Sequence, residues 1–260
     1  MMTQREHISY SELKDWAHCP HYHHKAWVEK VAPFEGNEYT AFGSAIHDVC
    51  EKKLLQEDIN EAEMFQLGFA KRIQELIEKK VEFNATNVQQ MKAAGPAILA
   101  EVEDALKDYF GDYEVFSSEE MLYVPIENFN IYFKGFVDAV VKVGGTYHLF
   151  DWKTCSWGWD SRKKAEKLVT YQLTLYKHFF CQKHKIDPSS VETHFALLKR
   201  TAKKDRVEIF RVTSGPRKTE NALKLLYQAI YNITKRFSIK NRLNCHKPYP
   251  CKLLNTEHCP

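Results

Sequence analysis

The chain has no long apolar run. No stretch approaches the roughly 20 apolar residues that a helix needs to span a bilayer, and the opening MMTQREHISYSEL lacks the apolar core of a secretory signal. Internal repeats and low-complexity linkers are missing too, which excludes a solenoid and a string of tethered modules. Neither sign of charge dominates: 37 Lys and Arg stand against 34 Asp and Glu, a formal net charge of +3. That is too small on its own to imply a polyanionic partner. Cysteines are seven, an odd number. In a chain without a leader this argues against a disulfide framework and for a reducing compartment. The expected location is the cytoplasm, or a host's cytoplasm if the source is a virus, with no membrane involvement. What is present is an ordinary globular composition, 44% hydrophobic and 27% charged, in a length that permits a sizeable core.

Periodicity divides the chain into a helical first half and a mixed second half. Ser9 followed by Glu12 reads as a capping box, opening a helix that stops at Cys19-Pro20. Over 41–56, Phe42, Ile46, Val49 and Leu54 recur at helical spacing and place His47 on a helix. Two further helical stretches, 60–80 and 87–110, are expected, the second interrupted at Gly95-Pro96. From Met121 onward β-branched and aromatic residues take over, in YVPI, NIYFKGFVDAVVKV and TYHLFDWKT. A helix capped by Asp160 or Ser161 should run to about His184, followed by strands over 191–199 and 207–212 and an amphipathic helix over 218–237. The expectation is one domain of mixed α/β class spanning 1–260. It comprises N-terminal helices (9–56), a helical elaboration (57–115), a core (119–240) and a cysteine-bearing tail (241–260). Basic residues gather around Arg162–Lys167, Lys199–Arg206 and Lys235–Arg242; taken singly such runs are usually solvated faces, but beside a metal-binding hairpin at least one group is expected to track phosphates.

The stretch from Lys134 to Thr154, KGFVDAVVKVGGTYHLFDWKT, carries the chemistry. Gly144-Gly145 accepts the positive φ angles of a two-residue hairpin turn. Val143 then faces Thr146, and counting outward sets Asp138 opposite Asp151, with Lys153 on the face of Asp151. Directly opposed residues have Cβ atoms roughly 5 Å apart, where like charges repel. A divalent cation resolves that repulsion, because hard cations take carboxylate oxygens together with substrate phosphate.

Asp-(x12)-Asp-x-Lys on a hairpin resembles the signature of the PD-(D/E)XK nuclease superfamily, and the flanking sequence resembles its RecB-like branch. GSAIHDVCE matches that branch's G-x-x-x-H helix with Gly43 and His47. YQLTLYKHF matches its Q-x-x-x-Y helix with Gln172 and Tyr176. SYSELKDWAHCP resembles its N-terminal segment, with Cys19 in the cysteine place, and Cys245, Cys251 and Cys259 resemble the C-terminal cysteines of members that carry an iron–sulfur cluster. The resemblance implies a central mixed β-sheet flanked by helices. It implies Mg²⁺ or Mn²⁺ held by Asp138, Asp151 and His47, with Lys153 beside the attacking water. Gln172 would point toward Lys153 or phosphate and Tyr176 toward the DNA backbone.

The implied activity is hydrolysis of DNA, as an exonuclease at duplex ends or in single strands, in recombination, repair or phage or CRISPR processing. Endonuclease action and a non-cutting binding module are the alternatives. No G-x-x-x-x-G-K-[ST] loop is present, so unwinding would need a helicase partner; a recombinase or annealing protein is another expected partner. Cys19, Cys245, Cys251 and Cys259 would hold a [4Fe–4S] cluster. Their C-x5-C-x7-C spacing departs from the family's usual C-x2-C-x5-C, which keeps Zn²⁺ open, with four cysteines or with His18, His21, His23, His24, His246 or His258 among the ligands. Cys50, Cys155 and Cys181 read as buried small residues. Glu120 or Glu119 is a further acidic candidate, and Trp157 and Trp159 are either base-stacking or packing residues.

Overall fold

The computed structural model describes residues 5–31, 34–246 and 250–260. In chain order the elements are β1 (His7–Ser9), α1 (Tyr10–His18), α2 (Pro20–His23), a π-turn (His24–Val28), α3 (Glu38–Leu54), α4 (Glu61–Glu78), α5 (Ala85–Phe110), β2 (Glu114–Pro125), β3 (Tyr132–Val143) and β4 (Thr146–Cys155). They continue with α6 (Ser161–Ala165), α7 (Lys167–His184), β5 (Val191–Lys199), β6 (Val207–Val212) and α8 (Pro216–Thr234). No helix among the described residues is long and apolar enough to cross a membrane. The chain forms two compact units: one from 35–122 and 136–214, the other from 1–34, 123–135 and 215–260.

The larger unit is built on a mixed sheet. β3 pairs antiparallel with β4, β4 parallel with β5, β5 antiparallel with β6, and β2 also joins β3. One face, carrying Ala139, Val141, Phe150, Trp152, Ala196 and Leu198, is buried against α3, α4 and α5. On the other face Phe195, Leu197 and Val212 meet Leu173 of α7. Helices on both faces therefore sandwich the sheet, as expected of the mixed α/β class.

Two local expectations change here. α5 is continuous through Gly95-Pro96. Pro96 has no N–H to offer the carbonyl of Lys92 one turn back, and Gln66 of α4 donates to that carbonyl at 2.9 Å instead. Gly95 has a role of its own: a Cβ there would lie 2.2 Å from the Phe65 ring. The helix after Asp160 is also two helices, α6 and α7, with extended Glu166 between them. β2 begins at Glu114, earlier than the composition change at Met121 implies.

In the smaller unit, β1 lies parallel to the start of β3, pairing His7 with Tyr132 and Ser9 with Lys134. This short strand has no periodicity to announce it. Ser9 caps α1 by accepting from the Glu12 N–H at 3.2 Å. The reciprocal half of the expected capping box is missing, because the buried Glu12 carboxylate pairs instead with His23, at 2.7 Å, and with Arg5. Leu13 and Trp16 of α1 and Ala222, Leu226 and Ile230 of α8 are buried in this unit.

Candidate active site

The hairpin has the register its glycine pair dictates. Gly144 and Gly145 adopt φ of 51° and 93°, and the ladder runs from Val143↔Thr146 to Ala139↔Phe150. One step further the ladder stops. The N–H of Trp152 donates to Oδ2 of Asp138 at 2.6 Å, so the Asp138 side chain takes the donor that a continuing β3 would have used. Burial, and next the charge of Asp151, raise the Asp138 carboxyl well above the ordinary carboxylate range, while Lys153 and the Trp152 N–H oppose the shift.

Asp151 is 2% exposed. Its Oδ1 accepts from Gln172 Nε2 at 2.7 Å. Its Oδ2 lies 2.5 Å from Lys153 Nζ, an ion pair outside hydrogen-bond angles, so this buried oxygen has no hydrogen-bond partner. Gln172 comes from α7 and also donates to Tyr176 Oη, 3.3 Å away and one turn on. Gln172 thus braces Asp151, and its hydrogen bonds run to Asp151 and Tyr176 rather than to Lys153. Tyr176, 6% exposed, is packed behind it and is not a surface residue.

His47 arrives from α3, with Nδ1 3.7 Å from Asp138 Oδ2. Burial is the main cause lowering its pKa, which favours the neutral imidazole that a metal requires. A Cβ on Gly43, one turn earlier, would lie 3.2 Å from Thr154 Oγ1; the glycine lets α3 come close to β4. Of the two glutamates in question, Glu119 belongs here. Its charge bears on Asp138, and burial, Glu51 and Asp48 raise its own pKa. Glu120 instead pairs with Lys183 and His184, at 2.7 and 2.6 Å. Glu51, one turn beyond His47 on the same helix face, adds its charge to Glu119 and was not singled out by motif reading.

Two carboxylates, one with an orphaned buried oxygen, and a neutral imidazole are an oxygen-rich donor set that fits a hard divalent cation. The other candidates divide. Trp159 packs on Phe195 and Phe210, whereas Trp157 is 72% exposed. Many members of the first two basic groups are tied internally: Lys163 to Glu166, Lys164 and Lys199 to Glu208, and Arg206 to Glu101. Cys50 and Cys181 are buried as expected, while Cys155 is only half-buried.

In the smaller unit, Cys19, Cys245, Cys251 and Cys259 line one hollow. The Asn241 N–H points at Cys19 Sγ at 3.4 Å. Desolvation first, then Cys251, Cys259 and Cys19, push the Cys245 thiol up. Among the described residues no three of these sulfurs come within 4.8 Å of one another. A tetrahedral zinc with bonds of about 2.3 Å would hold them about 3.8 Å apart. Both ring nitrogens of His21 are engaged, by Ser238 and the His258 carbonyl, and His23 and His24 pair with Glu12 and Glu29. Residues 247–249 of the tail lie outside the described residues.

Fold and hairpin together define a restriction-endonuclease-like hydrolase. Residues 7–260 match the family model for the PD-(D/E)XK nuclease superfamily. The chain belongs to that superfamily, whose members hydrolyse phosphodiester bonds of nucleic acids with divalent metals. A crystal structure described as "Putative exonuclease" from Eubacterium rectale aligns over 96% of this chain and 86% of its own, at 15% identity and a TM-score of 0.55. A structure named SSO0001 covers 95% of this chain and 85% of its own, at 12% identity and a TM-score of 0.40. No curated protein sequence matches significantly.

Proposed function

We propose that the protein is a metal-dependent deoxyribonuclease acting as an exonuclease on DNA ends or single strands, in recombination, repair or phage or CRISPR DNA processing. One observation carries this reading: Asp138, Lys153, Gln172 and His47 gather around the buried carboxylate of Asp151. Asp138, Asp151 and His47 would hold Mg²⁺ or Mn²⁺. The bound cation supplies Lewis-acid activation of water and charge neutralisation at the phosphate. Lys153 orients the attacking water and offsets the charge that builds on the phosphoryl oxygens. Gln172 fixes Asp151 through Oδ1 and leaves Oδ2 toward the reacting groups, with Tyr176 positioning Gln172. The printed description of the Eubacterium rectale neighbour agrees with exonuclease action.

Cys19, Cys245, Cys251 and Cys259 are assigned to a [4Fe–4S] cluster rather than zinc. Sulfurs that each bind a different iron stand farther apart than sulfurs on one ion, and three of the nearby histidines have other partners. An N–H aimed at Cys19 Sγ also suits a thiolate that carries charge.

The test is cleavage of end-labelled single- and double-stranded DNA with Mg²⁺ or Mn²⁺, comparing wild type with Asp151→Ala. Metal-dependent shortening from one end, lost in the variant, supports the proposal. Internal cuts would replace the exonuclease reading with an endonuclease, and binding without cutting under either metal would replace it with a binding module. RNA cleaved in preference to DNA would overturn the substrate assignment.

A further inference from the structure

The face of the sheet opposite Asp151 holds a second set of metal-ligating side chains. Side chains alternate along β4, so His148 shares a face with Phe150 and Trp152 and not with Asp151. β5 runs parallel beside it, in the register His148↔Glu192 and Phe150↔His194, which brings Glu192 and His194 to that same face. Nδ1 of His148 lies 3.0 Å from Nε2 of His194. Oε2 of Glu192 stands 3.7 Å from the first nitrogen and 3.9 Å from the second. Among the described residues, this is the one trio of His, Cys, Asp or Glu ligand atoms gathered within 4.8 Å.

We propose that His148, Glu192 and His194 form a second metal site, for zinc or a similar imidazole-preferring divalent cation, which clips β4 to β5 and to α5. Bonds of about 2.0–2.1 Å in a tetrahedron set ligand atoms about 3.4 Å apart. The observed separations bracket that value, so shifts of tenths of an ångström close the site. Two imidazoles and one carboxylate select a softer ion than the oxygen-rich donors around Asp151 do.

The outer contacts hold these ligands in the required form. Tyr109 Oη of α5 lies 3.2 Å from Nδ1 of His194; with Nδ1–H donating to Tyr109, the Nε2 lone pair faces the cation. His148 binds through Nδ1 with its proton on Nε2, so no proton is lost from either neutral ring. The Arg211 guanidinium pairs with Oε1 of Glu192 at 2.8 Å and leaves Oε2 for the cation. Phe110 packs near both rings, at 5.1 and 5.3 Å. His194 is 2% exposed, while His148 and Glu192 remain partly open to solvent, which leaves a route in and a fourth position for water.

The site does not depend on the nuclease reading, and its test does not use activity. The full-length protein is equilibrated with Zn²⁺ alone, and tightly held zinc is counted by elemental analysis in wild type, His148→Ala and Glu192→Gln. One zinc equivalent fewer in each variant is expected. Replacement by Co²⁺ should give visible bands without thiolate charge transfer, lost in the same variants, which separates this ion from any metal on the cysteines. Tyr109→Phe, which keeps all three ligands, should weaken zinc binding about 10–100-fold. Glu192→Gln preserves side-chain volume at a half-exposed position and decides the matter if His148→Ala fails to fold. Equal zinc content in wild type and Glu192→Gln would overturn the proposal and leave His148 and His194 as a hydrogen-bonded pair.

Discussion

Asp138 shows how one side chain ties stability to the chemistry. Its raised pKa means that folding without metal favours the protonated acid. Stability of the metal-free protein is therefore greatest near and below the ordinary aspartate value of about 3.9, as far as this group governs it. That contribution is lost as pH rises through the raised value. Denaturant midpoints in the presence of a chelator should fall as pH rises above the ordinary aspartate range, and Asp138→Asn should flatten that part of the slope. Saturating Mg²⁺ should flatten it too, because the cation takes the proton's place. Identical slopes in wild type and Asp138→Asn would show that Asp138 is not the responsible group. The two aspartates could be placed from sequence alone, because a two-residue glycine turn leaves one register. What Gln172 touches could not: spacing puts Gln172 and Tyr176 on one face of α7 but says nothing about which β4 atom that face meets.

Among the elements, α5 shows most plainly where local rules yield to tertiary contacts. Gly95-Pro96 reads as a break, yet Gln66 and Phe65 of α4 make it a docking seam. Gly95→Ala should destabilise by about 1–3 kcal/mol, through overpacking against the Phe65 ring. Gln66→Ala should cost about 1 kcal/mol by leaving the Lys92 carbonyl without its donor. Thermal or denaturant unfolding measures both, and a neutral Gly95→Ala would mean that the helices can separate at no cost. Strands β5 and β6 appear at the bounds their β-branched runs predict, because alternation is a local signal. The meeting of His148, Glu192 and His194 is not local: 46 residues separate the two histidines, and only the parallel register of β4 and β5 makes them neighbours. No motif spacing announces a site that strand pairing builds.

At the scale of the whole molecule, the two kinds of chemistry lie in different units, with the candidate nuclease residues in the larger and the four cysteines in the smaller. Cys251→Ser should abolish the visible absorbance of anaerobically purified protein and speed amide exchange over 241–260, while β4 and β5 amides stay protected. Loss of protection in β4 and β5 as well would show that the larger unit needs the cysteine site in order to fold. The smaller unit is assembled from three separated stretches of chain, and this has a consequence at the level of the gene. No contiguous run of codons encodes it alone, so it cannot be exchanged or deleted as one cassette. A premature stop after codon 215 would still encode every candidate catalytic residue, yet it would remove α8 and three of the four cysteines. Such a product would look intact to any test that inspects only the nuclease motifs.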